Sequence, residues 1–214
     1  MKKNLFVQAA FAAAVLTLTA CSSEPAKTSE VKTDTDAAKK TPAGPPEPVT
    51  GKTAFYEMYT PAHTWAADML PLSLKSGEVT GVKNADGKAG LWTAVFGSLS
   101  LHQARTYTYA VAEQVPDIAK GIKAESPVAW SGPTTVAMTF QTSDFTVDSD
   151  AAYKTAAEKV GDWLKDPAHA ASGVTMSLGA AQRFPAPVWY FLFGDTKSGF
   201  QIFINATTGN VITK

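Results

Sequence analysis

Pro187-Val-Trp-Tyr-Phe-Leu-Phe-Gly-Asp195 and the segment after it, Gly199-Phe-Gln-Ile-Phe-Ile-Asn-Ala-Thr-Thr-Gly209, decide how this chain folds. Side chains alternate across a strand, so Trp189, Phe191 and Phe193 share one face and Val188, Tyr190 and Leu192 the other. A strand that is apolar on both faces belongs inside a sheet rather than at its rim. The second run places Phe200, Ile202 and Ile204 on one face and Gln201 and Asn205 on the other. That is the pattern of a half-buried strand, with Phe203 as its exception. Gly194 to Gly199 supplies the loop, and Thr208-Gly209-Asn210 turns the chain into a short last strand at Val211-Ile212.

The pattern has an earlier echo. Leu91-Trp-Thr-Ala-Val-Phe-Gly97 matches Val188-Trp-Tyr-Phe-Leu-Phe-Gly194, with Trp92 and Trp189, Phe96 and Phe193, and Gly97 and Gly194 all 97 positions apart. Arg105 to Ala112 alternates like a strand after the first copy, as Phe200 to Asn205 does after the second. A helix precedes each pair. The later one runs from Asp150 to Lys165, with Ser149 or Asp150 as N-cap, an apolar stripe through Tyr153, Ala156, Val160 and Trp163, and Pro167 as its stop. The earlier one spans about Thr53 to Met69 and carries Pro61, which predicts a kink or break near Tyr59. Short strands follow the helices at Leu72–Leu74 and Val174–Leu178, and further strands are expected at Val128–Trp130 and from Thr134 to Gln141. The expected class is α+β: two similar units, each a helix packed on its own small antiparallel sheet. The divisions are a first unit over 53–115, connecting strands over 116–148 and a second unit over 149–214.

A helix and three strands closing on Phe203-Ile-Asn-Ala-Thr-Thr-Gly-Asn-Val211 resemble the PepSY domain. The last strand of that family typically ends Asp-Ala-x-Thr-Gly-x-Val/Ile. Here Asn205 stands in the Asp position, while Ala206, Thr208 and Gly209 fit. The resemblance covers Ala151 to Lys214 and, more loosely through the repeat, Ala54 to Val115, where the Thr-Gly ending is missing. It implies an envelope setting and a role in restraining peptidases or binding partners.

The N-terminus is read separately. Lys2-Lys3 is a basic start, and Leu5 to Leu18 is an apolar stretch short for a membrane span. It ends Leu18-Thr-Ala-Cys21, which resembles the lipobox of bacterial lipoproteins. The resemblance implies that residues 1–20 are a signal peptide and that Cys21 is acylated and becomes the first mature residue. The competing reading is an ordinary signal peptide with a chance cysteine, or a core thiol; the coincidence of four features at the only cysteine favours the lipoprotein. Each buried acyl methylene adds ~0.8 kcal/mol of anchoring. Ser22 rather than Asp after the cysteine points to the outer membrane, facing the periplasm, under the enterobacterial sorting rule. Residues 21–52 are rich in Ser, Thr, Lys, Glu, Ala and Pro, which predicts a disordered tether.

Charge and motifs restrict the function. Lys+Arg and Asp+Glu are both 19, so no basic footprint marks a nucleic-acid binder. A lone cysteine excludes an internal disulfide. No His-Glu-x-x-His, Gly-x-Ser-x-Gly, Cys-x-x-Cys or Walker-type loop is present. Asp144, Asp148 and Asp150 cluster like calcium ligands but lack the glycine turn and distal Glu of an EF-hand, so a helix-leading loop is the simpler reading. Asn84-Ala-Asp-Gly-Lys88 reads as a turn. His63, His102 and His169 lie far apart, and Asn205-Ala-Thr207 matches a glycosylation sequon without weight in a bacterial setting. No catalytic residue, metal or cofactor is therefore expected. The expected function is a non-catalytic envelope module that binds a protein partner or restrains a peptidase; the alternative is a binding protein for a small apolar or lipid-like ligand in a cleft between the units.

Overall fold

The computed structural model describes residues 44–169, 172–184 and 186–213. Cys21, the signal peptide and most of the expected tether lie outside the described residues.

Two stretches have the apolar spacing of a helix and form one. Helix α1 (Gly51–Trp65) buries Ala54, Met58 and Ala62 four residues apart, with Phe55 beside Ala54. Helix α2 (Ser149–Leu164) buries Ala152, Ala156 and Val160 at the same spacing. The strands are β1 (Val49–Thr50), β2 (Leu70–Gly77), β3 (Lys88–Ala89), β4 (Leu91–Ser98), β5 (Gln103–Ala110), β6 (Gly121–Ala124), β7 (Val128–Ala129), β8 (Val174–Gly179), β9 (Val188–Phe193) and β10 (Phe200–Asn205). β1 and β3 form a small antiparallel pair.

The other eight make one antiparallel sheet in the order β10-β9-β8-β2-β4-β5-β6, with β7 also on β5. The fold is thus mixed α+β, two helices on one large sheet. It differs from two small sheets because β2 and β8, the first long strands after each helix, pair with each other through Ser73–Gly179, Leu74–Leu178 and Lys75–Ser177. The Ser76 hydroxyl extends the seam by accepting the Met176 N–H at 2.9 Å. Separate sheets would have left both strands with unpaired backbone edges, and joining them satisfies those groups. Pro42–Lys214 is accordingly one compact unit.

Register fixes the faces. Because Leu74 lies opposite both Leu178 and Ala94, one face carries Leu74, Ala94, Trp92, Phe96, Met176, Leu178, Trp189, Phe191 and Phe193. These residues and the buried faces of both helices belong to one core cluster. Trp92 and Trp189 meet edge to face, centroids 6.2 Å apart, where the two halves of the sheet join. Each indole is also a tie: Trp92 Nε1 donates to the Val49 carbonyl at 3.0 Å and Trp189 Nε1 to the Val147 carbonyl at 2.9 Å. Val49 and Val147 each stand two residues before a helix, so both tryptophans set where a helix begins. The opposite face bears Ser73, Lys75, Thr93, Thr106, Thr108, Thr175 and Ser177 and, among the described residues, carries no helix.

Several local expectations change. α1 runs through Pro61 without ending, since Met58 and Ala62 on either side are fully buried and outweigh one lost backbone bond. The α2 cap is Asp148, one residue before the expected Ser149 and two before Asp150. Thr134–Gln141 forms no strand; its Met138 makes one bridge to Ala180 and Thr134–Ala137 closes a turn. Val211 makes a single bridge to Ile204 rather than a strand. β6 was not expected, because Gly121-Ile-Lys-Ala124 is a mostly exposed rim strand with little apolar signal.

Candidate functional site

Asp148 and Asp150 stand at the start of α2 and each carboxylate has a structural partner, whereas Asp144 lies five residues before the helix. The Asp148 carboxylate accepts the N–H of Ser149 at 2.6 Å and, from across the fold, the N–H of Lys52 at 2.8 Å. The Ser149 hydroxyl accepts the Gly51 N–H at 2.7 Å and donates to the Gly87 carbonyl at 2.6 Å. The beginning of α2 thus caps orphan amides of α1 as well as its own. Asp150 accepts from the Ala151 N–H, and the Asp144 backbone carbonyl accepts from the Thr207 hydroxyl. Among the described residues no three His, Cys, Asp or Glu side chains are grouped to hold a metal ion.

The Asn84–Lys88 segment is a two-residue turn with Asp86 at φ 50° and Gly87 at φ 76°, as Asp-Gly favours. Gly87 is required there twice over, since an added Cβ would lie 2.5 Å from the Asp150 Cα. His63 and His102 are exposed and apart, and His169 stacks on Trp163 at 4.0 Å. Asn205 accepts the N–H groups of Thr207 and Thr208 at 2.8 and 3.0 Å, which is what an Asp or Asn at the head of that turn provides. Trp92, Trp189, Phe191 and Phe193 are fully buried and line no cleft.

Two grooves remain. The larger, about 710 Å³, lies where the 78–88 loop approaches α2 and the start of β8. Its charges are mixed: Glu78 and Asp86 stand among Lys83 and Lys88. Its amides are already engaged, Asn84 with the Gly77 carbonyl and the Gly90 N–H, Gln114 with Thr80. Burial raises the Tyr153 hydroxyl pKa above the ordinary phenol value, and Asp86 adds to it, so this wall stays neutral. The groove is chiefly the underside of a well-bonded loop.

The second groove, about 490 Å³, is cut into the helix-free face over the β2–β8 seam. Its floor is Val188, Tyr190 and Phe203, one wall is Arg183-Phe184, and the other is the turn carrying Val136 and Ala137. Tyr190 and Phe203 pack at 5.2 Å and Phe184 and Phe203 at 5.5 Å. The Arg183 guanidinium lies 4.6 Å from the Phe184 ring centre and 5.4 Å from that of Phe203. Val136 is 81% exposed at the rim. Burial raises the Tyr190 hydroxyl pKa, so it remains a neutral donor. Sequence reasoning missed Arg183, Phe184 and Val136; the available signal was Phe203, the apolar exception on the polar face of β10.

Among the described residues no helix is long and apolar enough to cross a membrane. No protein-family model and no curated protein matches the chain. Among solved structures the chain is similar to a crystal structure of "a putative lipoprotein" from Clostridium difficile 630, at 9% identity and a TM-score of 0.46, over 75% of this chain and 90% of that one. A likeness this distant carries neither fold nor function to this chain.

Proposed function

We propose that the protein is a lipid-anchored envelope module, without catalytic activity, that uses the helix-free face of its sheet to bind a protein partner. The observation that carries this reading is the asymmetry of the sheet: both helices pack on one face, and the other holds an open groove with an aromatic floor. Acylation of Cys21 in the Leu18-Thr-Ala-Cys21 motif would attach the chain to the outer membrane on its periplasmic side, and the segment to about residue 48 would let the face reach its target. Two PepSY-like units remain the reading of the internal repeat, supported by a helix followed by three longer strands occurring twice. The partner class follows from that resemblance: an envelope protein such as a peptidase.

The test is retrieval from detergent-solubilised envelope with the tagged full chain, with Val136→Asp, and with a tether-only control. The proposal predicts a protein enriched by the parent and lost in Val136→Asp, which alters an exposed residue of the groove rim. Repeated retrieval of nothing above the tether control would contradict it. A second reading, a small-ligand binding protein, is favoured by one observation: the groove has the volume and the apolar floor with few polar groups that small-molecule sites show.

A further inference from the structure

Among the described residues, Arg183 is the one charged residue lining the open-face groove, and no acid accompanies it there. The ion pair found among the described residues is elsewhere, between Lys165 and Asp162. The Phe184 and Phe203 ring centres, 5.5 Å apart, lie to one side of the guanidinium and accept no hydrogen bond from it, so its N–H groups remain as donors. A guanidinium edge held in this way matches a carboxylate, with two parallel N–H···O bonds. Beside it are the rings of Tyr190 and Phe203 and the exposed Val136, surfaces for an apolar body.

An extended peptide would need free backbone groups along the groove. Several of those on the wall are engaged: Met138 N–H donates to the Ala180 carbonyl at 3.0 Å and Gln182 N–H to the Thr135 carbonyl at 2.9 Å. A volume of about 490 Å³ is on the scale of a small ligand. We infer that this groove binds a small amphipathic carboxylate, its apolar body on Tyr190 and Phe203 and its anionic group on the Arg183 guanidinium. The inference deepens the small-ligand reading and rests on it.

The experiment uses the full chain in lipid nanodiscs, with protein-free nanodiscs as control, and saturation-transfer NMR titrations of 4-phenylbutyrate, 4-phenylbutanol and 4-phenylbutylamine. One charge-assisted hydrogen-bonded pair separates ligands by about tenfold or more. The carboxylate should therefore saturate at least about tenfold more tightly than the alcohol, and the amine should gain nothing over it. Arg183→Gln should bring the carboxylate to the alcohol's affinity, and Val136→Asp should weaken the carboxylate further. Equal affinity for carboxylate and amine, or an unchanged Arg183→Gln, overturns the carboxylate assignment while leaving a groove that binds apolar bodies. Loss of the alcohol together with the carboxylate in Arg183→Gln would make the arginine a structural wall and overturn it too. Saturable binding of none of the three probes overturns this inference and the small-ligand reading together, without touching the protein-partner reading.

Discussion

Replacing Trp189 by alanine removes a fully buried indole from the point where the two halves of the sheet meet. Three terms set the cost. Emptying a buried Trp or Phe site costs about 3–5 kcal/mol, from lost transfer energy and the cavity that remains. The Val147 carbonyl loses the donor 2.9 Å away, which adds ~1 kcal/mol unless water reaches it. Edge contacts with Trp92 at 6.2 Å and Phe145 at 5.7 Å are lost as well, at ~0.5–1.5 kcal/mol for an aromatic pair. Relaxation recovers part of this, so a net loss of about 4 kcal/mol is expected, a large share of the ~5–15 kcal/mol that stabilises a typical domain. Urea unfolding followed by far-UV circular dichroism measures it without relying on the fluorescence of the altered residue. Trp92→Ala should cost a similar amount, and the double variant should depart from additivity by ~0.5–3 kcal/mol because the rings touch. An unchanged midpoint in Trp189→Ala would mean the indole is not buried. Strict additivity would mean that the two halves do not share a core.

Three further outcomes follow from the helix starts and turns. Asp148→Ala strips acceptors from amides of both helices and should destabilise by about 1–2 kcal/mol in a denaturant melt, as loss of an N-cap does; no change would mean that water replaces the carboxylate freely. Gly87→Ala forces a side chain into φ 76° and against the α2 backbone, so it should cost at least ~2 kcal/mol, with the melt again as the readout. The Asp68 carboxylate, held by the Ser98 hydroxyl and the Ser100 N–H, has its pKa lowered to about 2. Being depressed, it contributes stability that is present above the ordinary carboxylate pKa of ~3.9 and is lost as pH falls toward about 2. Carboxyl-detected NMR should show that low midpoint, and Asp68→Asn should flatten the acid limb of the stability profile.

The elements legible in the sequence were those whose signal is local. β10 has the predicted bounds, β9 is apolar on both faces as Trp189 to Phe193 implied, and the Asp86-Gly87 pair makes the turn its residues demand. α2 was legible from its stripe, but its cap was displaced because Asp148 also serves Lys52, 96 residues away. The start of α1 at Gly51 was hidden for the same reason, since its amides are met by Ser149 and Asp148 rather than only by a neighbour. The β2–β8 seam is a long-range pairing of Ser-Leu-Lys with Ser-Leu-Gly, and nothing in either strand alone says which partner it takes. The groove on the open face combines β10, the Arg183-Phe184 loop and the Val136 turn. Only Phe203 announced it, as an aromatic where the alternation asked for a polar residue.

Site-specific photo-crosslinking in intact cells reads out whether the helix-free face meets the partner. A photoreactive residue would replace Val136 or Gln201 on the open face, or Glu158 on the exposed side of α2. One discrete protein adduct is expected from positions 136 and 201 and none from 158. Adducts from 158 alone, or the same adducts from all three positions, would contradict it.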